Sequence, residues 1–185
     1  KGELKPDYRK YIKTPLPFLN HMIEHIAWRA SLNISIDMDF DEFELCHLVC
    51  EDVGMTLGKA VGEYININSP SGYGFATGLI DEACADAAIS FEDRAQLTFQ
   101  KSINYCENVE GMPSEELITF LEGFAQGARC TLFIDLKSGQ NGHHIWEAVF
   151  RGVGIALGQA LSFDSSREGL TSGVAGKVEY EVSAE

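Results

Sequence analysis

Two eight-residue phrases, a hundred positions apart, constrain this chain more than anything else in it. "VGMTLGKA" (53 to 60) returns as "VGIALGQA" (153 to 160). The order of elements around each phrase repeats as well. Apolar residues at 19, 22, 23, 26 and 27 give "PLPFLNHMIEHIAWRA" (15 to 30) a helical stripe, entered through Pro15 and Pro17. "LNISIDMDF" (32 to 40) alternates strictly, with Leu32, Ile34, Ile36, Met38 and Phe40 on one face, and so predicts a half-buried strand. Helical spacing resumes over 44 to 65. After a loop at "SPSGYG" (69 to 74), "AAISF" and "AQLTF" read as short strands flanking "EDR". A second helix (114 to 129, with Ser114 as N-cap), strand (130 to 136), turn and helix (143 to 161) then follow, and "GKVEYEV" (176 to 182) reads as a last strand.

Helix, strand, helix thus occurs twice, which is the mark of duplication. The expected fold is α+β: two duplicated half-domains, each a mixed four-stranded sheet with helices on one face. The boundaries are an N-terminal stub or linker (1 to 15), a first half-domain (16 to 92) and a second (93 to 185). The 185 residues, 45% hydrophobic and 10% aromatic, suffice for two small halves sharing one core.

A net charge of −14 argues against a nucleic-acid partner, which rewards clustered Lys and Arg. Five cysteines (Cys46, Cys50, Cys84, Cys106 and Cys130), odd in number and without a CxxC pair, do not form a disulfide framework and suggest a reducing, cytoplasmic compartment. No long apolar run is present, so no membrane partner is expected.

Four of the five histidines lie in or beside two H-x-x-x-E contexts. His47 stands four residues before Glu51, and His143 stands four before Glu147, with His144 between them. Residues four apart share a helix face, whereas neighbours point about 100° apart. His143 and His144 are therefore expected to serve two different centres. Imidazole with carboxylate suits manganese, iron or zinc and not calcium. The competing reading is a pair of ordinary surface ion pairs. Cys46 and Cys50 are read first as buried apolar residues and second as soft, zinc-favouring donors.

Four stretches resemble the imidazoleglycerol-phosphate dehydratase family. "LPFLNHM" (16 to 22) resembles L-x-F-L-D-H-M, "HLVCEDVGMTLGKA" (47 to 60) resembles H-H-T-x-E-D-x-G-x-x-L-G-x-A, "IDEA" (80 to 83) resembles M-D-E-A, and "NGHHIWEAVFR" (141 to 151) resembles N-x-H-H-x-x-E-A-x-F-K. The resemblance implies a hydro-lyase of histidine biosynthesis acting on a small phosphorylated imidazole substrate. It implies a homo-oligomer, a 24-mer built from trimers, with active sites between subunits. It also implies two manganese ions per site, each held by three histidines and one glutamate.

Carried over residue by residue, the resemblance makes His21, His47, Glu51, His143, His144 and Glu147 metal ligands. Two ligand positions have changed: Leu48 replaces the second histidine of the first pair, and Thr119 replaces one on the penultimate helix. Arg29 replaces a further histidine. Arg94, Arg151 and Ser172 stand at substrate-binding positions, while the arginine of the "SPSGYGF" loop is absent and Val174 or Lys177 stands for a late lysine. Three readings stay open. One is a divergent dehydratase whose site is mended by Cys46, Cys50 or another subunit. The others are a one-metal lyase on a different small substrate and a non-catalytic paralogue that keeps the oligomeric scaffold.

Overall fold

The structure, a computed structural model, describes residues 3–39, 44–67, 70–174, 181 and 183. Four helices and one principal sheet organise these residues. The helices are α1 (Pro17–Ala30), α2 (Cys46–Ile67), α3 (Glu115–Ala128) and α4 (Gly142–Ala160). The strands are β1 (Tyr73–Ile80), β2 (Ala83–Ser90), β3 (Gln96–Lys101), β4 (Asn108–Val109), β5 (Met112–Pro113) and β6 (Thr131–Ser138). The sheet order is β1-β2-β6-β3, with β3 parallel to β6 and the other pairs antiparallel. Strands β4 and β5 form a separate two-residue hairpin. The α+β class and the mixed four-stranded sheet are those expected.

The repeated phrases are helix crossings. α2 packs against α3, and α4 packs against α1. A Cβ placed on Gly54 would stand 2.2 Å from the Phe120 carbonyl oxygen, and one on Gly58 2.3 Å from that of Phe124. At the other crossing, a Cβ on Gly154 would stand 3.0 Å from the His25 carbonyl oxygen. Each phrase thus supplies the small residues that let two helix backbones touch, once for α2 on α3 and once for α4 on α1. The apolar stripe of α1 is buried as its spacing predicts: Leu19, Met22, Ile23, Ile26 and Ala27 all lie in the core.

Several expectations are corrected. β1 was not foreseen, and it begins inside the segment read as a loop. Gly74 and Gly78 dilute its apolar pattern, and α4 covers the strand. Over 32 to 39 the burial alternates as expected, yet among the described residues the stretch forms one parallel bridge, Ile12 to Ile36, and no strand. Phe40 and most of the strand expected at 176 to 182 lie outside the described residues. The opening segment, expected as a stub or linker, is docked: Tyr8 and Ile12 are buried, and the Tyr8 ring sits 6.0 Å from that of Trp28. Ser114 precedes α3 but makes no side-chain cap. Its hydroxyl instead accepts from the indole N–H of fully buried Trp146, 3.3 Å away, a donor that has to be satisfied.

Among the described residues no helix is long and apolar enough to cross a membrane. All five cysteines are free. Cys50 is buried, and burial pushes its thiol well above the ordinary range. It therefore behaves as a small core residue, the first of the two readings.

Candidate metal centre

The α1–α4 crossing gathers a cluster of donors around one carboxylate. Asn20 ties down the entry to α1, accepting from the Thr14 N–H at 2.9 Å and donating to the Thr14 carbonyl at 3.0 Å. That fixes the first turn, from which His21 projects. Asn141 caps α4, its side chain accepting from the His143 N–H at 2.9 Å. The cap places His143, His144 and Glu147 on the first turns of the helix.

Glu147 is buried and lies at the centre. Its Oε1 is 2.7 Å from His21 Nε2, 3.0 Å from His25 Nε2 and 3.4 Å from His143 Nε2. Its Oε2 accepts from Arg151 Nη2 at 2.9 Å, and Arg151 Nη1 donates to the Leu79 carbonyl at 3.1 Å. Burial works to raise the Glu147 pKa, but hydrogen bonds from His21 and His25, with the charge of Arg151, outweigh it and hold the carboxyl at about 2. Glu147 is therefore an anion throughout the physiological range.

Donor atoms of His21, His143 and Glu147 lie within 4.8 Å of one another. A carboxylate also stands behind each imidazole. His143 Nδ1 is 3.0 Å from Glu110, at the tip of the β4–β5 turn, and His21 Nδ1 is 3.6 Å from Glu24. A carboxylate behind an imidazole whose other nitrogen faces inward is the usual support of a histidine ligand. This donor set, imidazole nitrogens with one carboxylate oxygen, fits a divalent transition-metal ion.

His144 turns away, as the helix geometry predicts. Its ring is nearly perpendicular to that of His143, at 88°, and it joins Asp81 and Glu82 in a second donor group. Those two residues form the β1–β2 turn, with Asp81 left-handed at φ 44°. Glu82 Oε2 is 2.9 Å from His144 Nδ1, and Glu82 Oε1 accepts the N–H groups of Gln140 and Asn141 at 3.1 and 2.8 Å. The Asn141 N–H and then the His144 imidazole hold the Glu82 carboxyl at about 2.

The remaining site candidates fall elsewhere in the chain. His47, on α2, faces Glu116 of α3 at 2.9 Å, and Glu51 lies one turn further along the same helix. Arg94 is exposed just before β3. Ser172 donates to the Phe91 carbonyl at 3.0 Å and lines a cleft of about 300 Å³ with Lys59 and Arg129. Sequence reasoning missed His25, Glu24 and Glu110. His25, four residues after His21 on one helix, was the only one of these with a readable signal.

The family model described as imidazoleglycerol-phosphate dehydratase matches residues 14–157. The chain belongs to that family. The dehydratase of Cellvibrio japonicus is 34% identical over 170 residues, covering 89% of this chain and 84% of that protein. The dehydratase of Hydrogenovibrio crunogenus is 32% identical over 154 residues, covering 83% and 78%. The crystal structure of the Staphylococcus aureus dehydratase superposes with a TM-score of 0.78 at 30% identity, covering 89% of this chain and 91% of that one. The two positions at which the resemblance expects further ligands, Leu48 and Thr119, lie on one helix pair. Leu48 is on α2 with its side chain partly exposed, and Thr119 is on α3, where its hydroxyl contacts the Glu115 carbonyl at 3.3 Å. The α1–α4 pair carries His21, His143 and Glu147.

Proposed function

We propose that this chain is a metal-dependent carbon–oxygen hydro-lyase of histidine biosynthesis, acting on imidazoleglycerol phosphate, in which one of the family's two metal centres is depleted. The observation that carries this is the division between helix pairs. The α1–α4 pair keeps converging donors, and the α2–α3 pair carries Leu48 and Thr119. Leucine has no donor atom, and its side chain is apolar where a cation would need a ligand.

His21, His143 and Glu147 would hold the ion, with manganese, iron or zinc all suited to the set. Once bound, it supplies Lewis acidity and a template for an imidazole-bearing substrate. The chain's own residues prepare that site. Arg151 clamps Oε2 of Glu147, which leaves Oε1 to face the histidines. A cavity of about 230 Å³ beside them is bordered by Arg9, Arg29 and Arg151, guanidinium groups of the kind a phosphate requires. Arg94, Ser172, His47 and Glu51 are assigned to the substrate and metal sites through a neighbouring subunit, as sites shared within a homo-oligomer would have it.

Elemental analysis of the purified protein, coupled to a dehydration assay on imidazoleglycerol phosphate, tests this. The expected result is one transition-metal ion per chain with measurable turnover. Two ions per chain would put the second at Asp81, Glu82 and His144 and overturn the depleted reading. One ion without turnover of this substrate would favour a lyase on another small substrate. No metal in an intact oligomer would favour a scaffold.

A further inference from the structure

The "IDEA" stretch (80 to 83) supplies a carboxylate that the chemistry above does not use, that of Glu82 in the β1–β2 turn. We propose that Glu82 is a positioning residue for His144. It holds the imidazole with its proton on Nδ1 and leaves Nε2 bare, so that α4 offers an electron pair on the Asp81 side of the ring. The tautomer stands on geometry alone. What the electron pair meets, an N–H of the imidazole-bearing substrate or a transition-metal ion, rests on the metal-dependent reading above.

Three observations support it. The first is that both Glu82 oxygens are engaged. Oε1 accepts the N–H groups of Gln140 and Asn141 at 3.1 and 2.8 Å, and Oε2 lies 2.9 Å from His144 Nδ1. One carboxylate thus spans the entry to α4 and its first turn. The second is polarity. An ionised carboxylate can only accept, so the Nδ1 that faces it has to carry the proton, and Nε2 is then left without one. Asp81 does not compete for this role. Its Oδ2 is 3.5 Å from Nε2, beyond the usual hydrogen-bond range, and its side chain is 70% exposed. The third is that the turn itself is held in place. Asp81 is left-handed at φ 44°, and the Ser138 hydroxyl donates to the Glu82 carbonyl at 3.1 Å. Gly139 lets the loop into α4 pass beside this turn, because a Cβ there would stand 2.4 Å from Ile145 Cγ1 and 3.3 Å from the Ala83 Cβ. Backbone and side chain of Glu82 are therefore both tied to the segment that carries His144.

The alternative role is a staple that joins the turn to α4 and leaves the ring indifferent. Solid-state NMR of the metal-free full chain, labelled with ¹³C and ¹⁵N in histidine, separates the two at a pH well above the imidazole range. The His144 signals are those lost in His144→Gln. The expected wild-type form has the proton on Nδ1. Glu82→Gln keeps the size, and its amide oxygen can stay on the two backbone N–H groups, which turns its NH₂ toward Nδ1. The expected result is a proton moved to Nε2, which a staple would not produce. A wild-type proton on Nε2, or no change of tautomer in Glu82→Gln, would overturn the inference. If Glu82→Gln does not fold, the wild-type tautomer still decides it. Zinc titration and turnover of imidazoleglycerol phosphate then identify the partner. One ion per chain in both proteins, with KM raised about 10-fold or more in Glu82→Gln, makes it the substrate N–H. A second wild-type ion that Glu82→Gln loses makes it a metal and overturns the depleted reading. Ion content and KM both unchanged would overturn the positioning role. A wild-type chain with neither metal nor turnover would overturn the metal-dependent reading and leave the tautomer result standing.

Discussion

Gly54→Ala is expected to cost about 3 kcal/mol of stability, the upper end of the usual overpacking range, and to lower the melting temperature by roughly 6–12 °C. The reason lies in what the added methyl meets. Its carbon would stand 2.2 Å from the Phe120 carbonyl oxygen and 3.1 Å from the Phe124 backbone nitrogen. Those are backbone atoms of a packed helix and cannot rotate away as a side chain would. The crossing is reciprocal, since a Cβ on Gly123 of α3 would stand 2.6 Å from the Glu51 carbonyl of α2. Relief therefore requires the helices to separate, and separation strips contacts from the core on both sides. Gly62→Ala, on the same helix, is the internal comparison. Its Cβ would meet nothing closer than 3.4 Å, and the helix gains the better helix former, so little loss or a slight gain is expected. Urea denaturation of the two variants checks the contrast. Equal midpoints would show that the α2–α3 crossing does not depend on backbone contact.

Glu147→Gln is expected to abolish metal binding and to cost about 3 kcal/mol of stability, as losing one partner of a buried ion pair does. The change keeps the volume and removes the charge. The amide then offers one acceptor where the carboxylate offered two. If its oxygen turns to Arg151, its NH₂ group faces the imidazoles of His21 and His25, and the reverse orientation turns NH₂ toward the guanidinium. Either way a buried group loses its partner, and Arg151 already has a buried Nε with no hydrogen bond. His47→Ala is the contrast. The His47 side chain is 59% exposed, so its pair with Glu116 is worth less than about 1 kcal/mol. Metal content of Glu147→Gln and thermal melts of both variants test this. Retention of metal by Glu147→Gln would remove Glu147 from the centre.

Much of this site could be read before any fold was known. The spacing of His143 and Glu147 put both on one helix face, and the adjacency of His143 and His144 turned them to different partners, as found. His25 was harder to read. It has the same four-residue relation to His21 that His47 has to Glu51, but Arg29 and not a glutamate stands four residues after it, and Glu147 lies 122 residues away in sequence. Glu110 sits on a two-strand turn whose residues show no periodicity, so nothing local pointed to its contact with His143. β1 escaped because α4 covers a strand whose glycines break the apolar alternation on which strand recognition relies.

By itself the sequence determined the α+β class, the four helices and the family. These are recorded in side-chain periodicity and in the two glycine phrases, which are local along the chain. Only the tertiary structure decided which helices cross. That choice set the phrases face to face with α3 and α1, placed Leu48 and Thr119 on one helix pair and His21, His143 and Glu147 on the other, and brought His25 to a carboxylate far along the chain. The physical reason is that backbone contact at a glycine is a property of two helices together. No spacing within one helix says which partner will come that close.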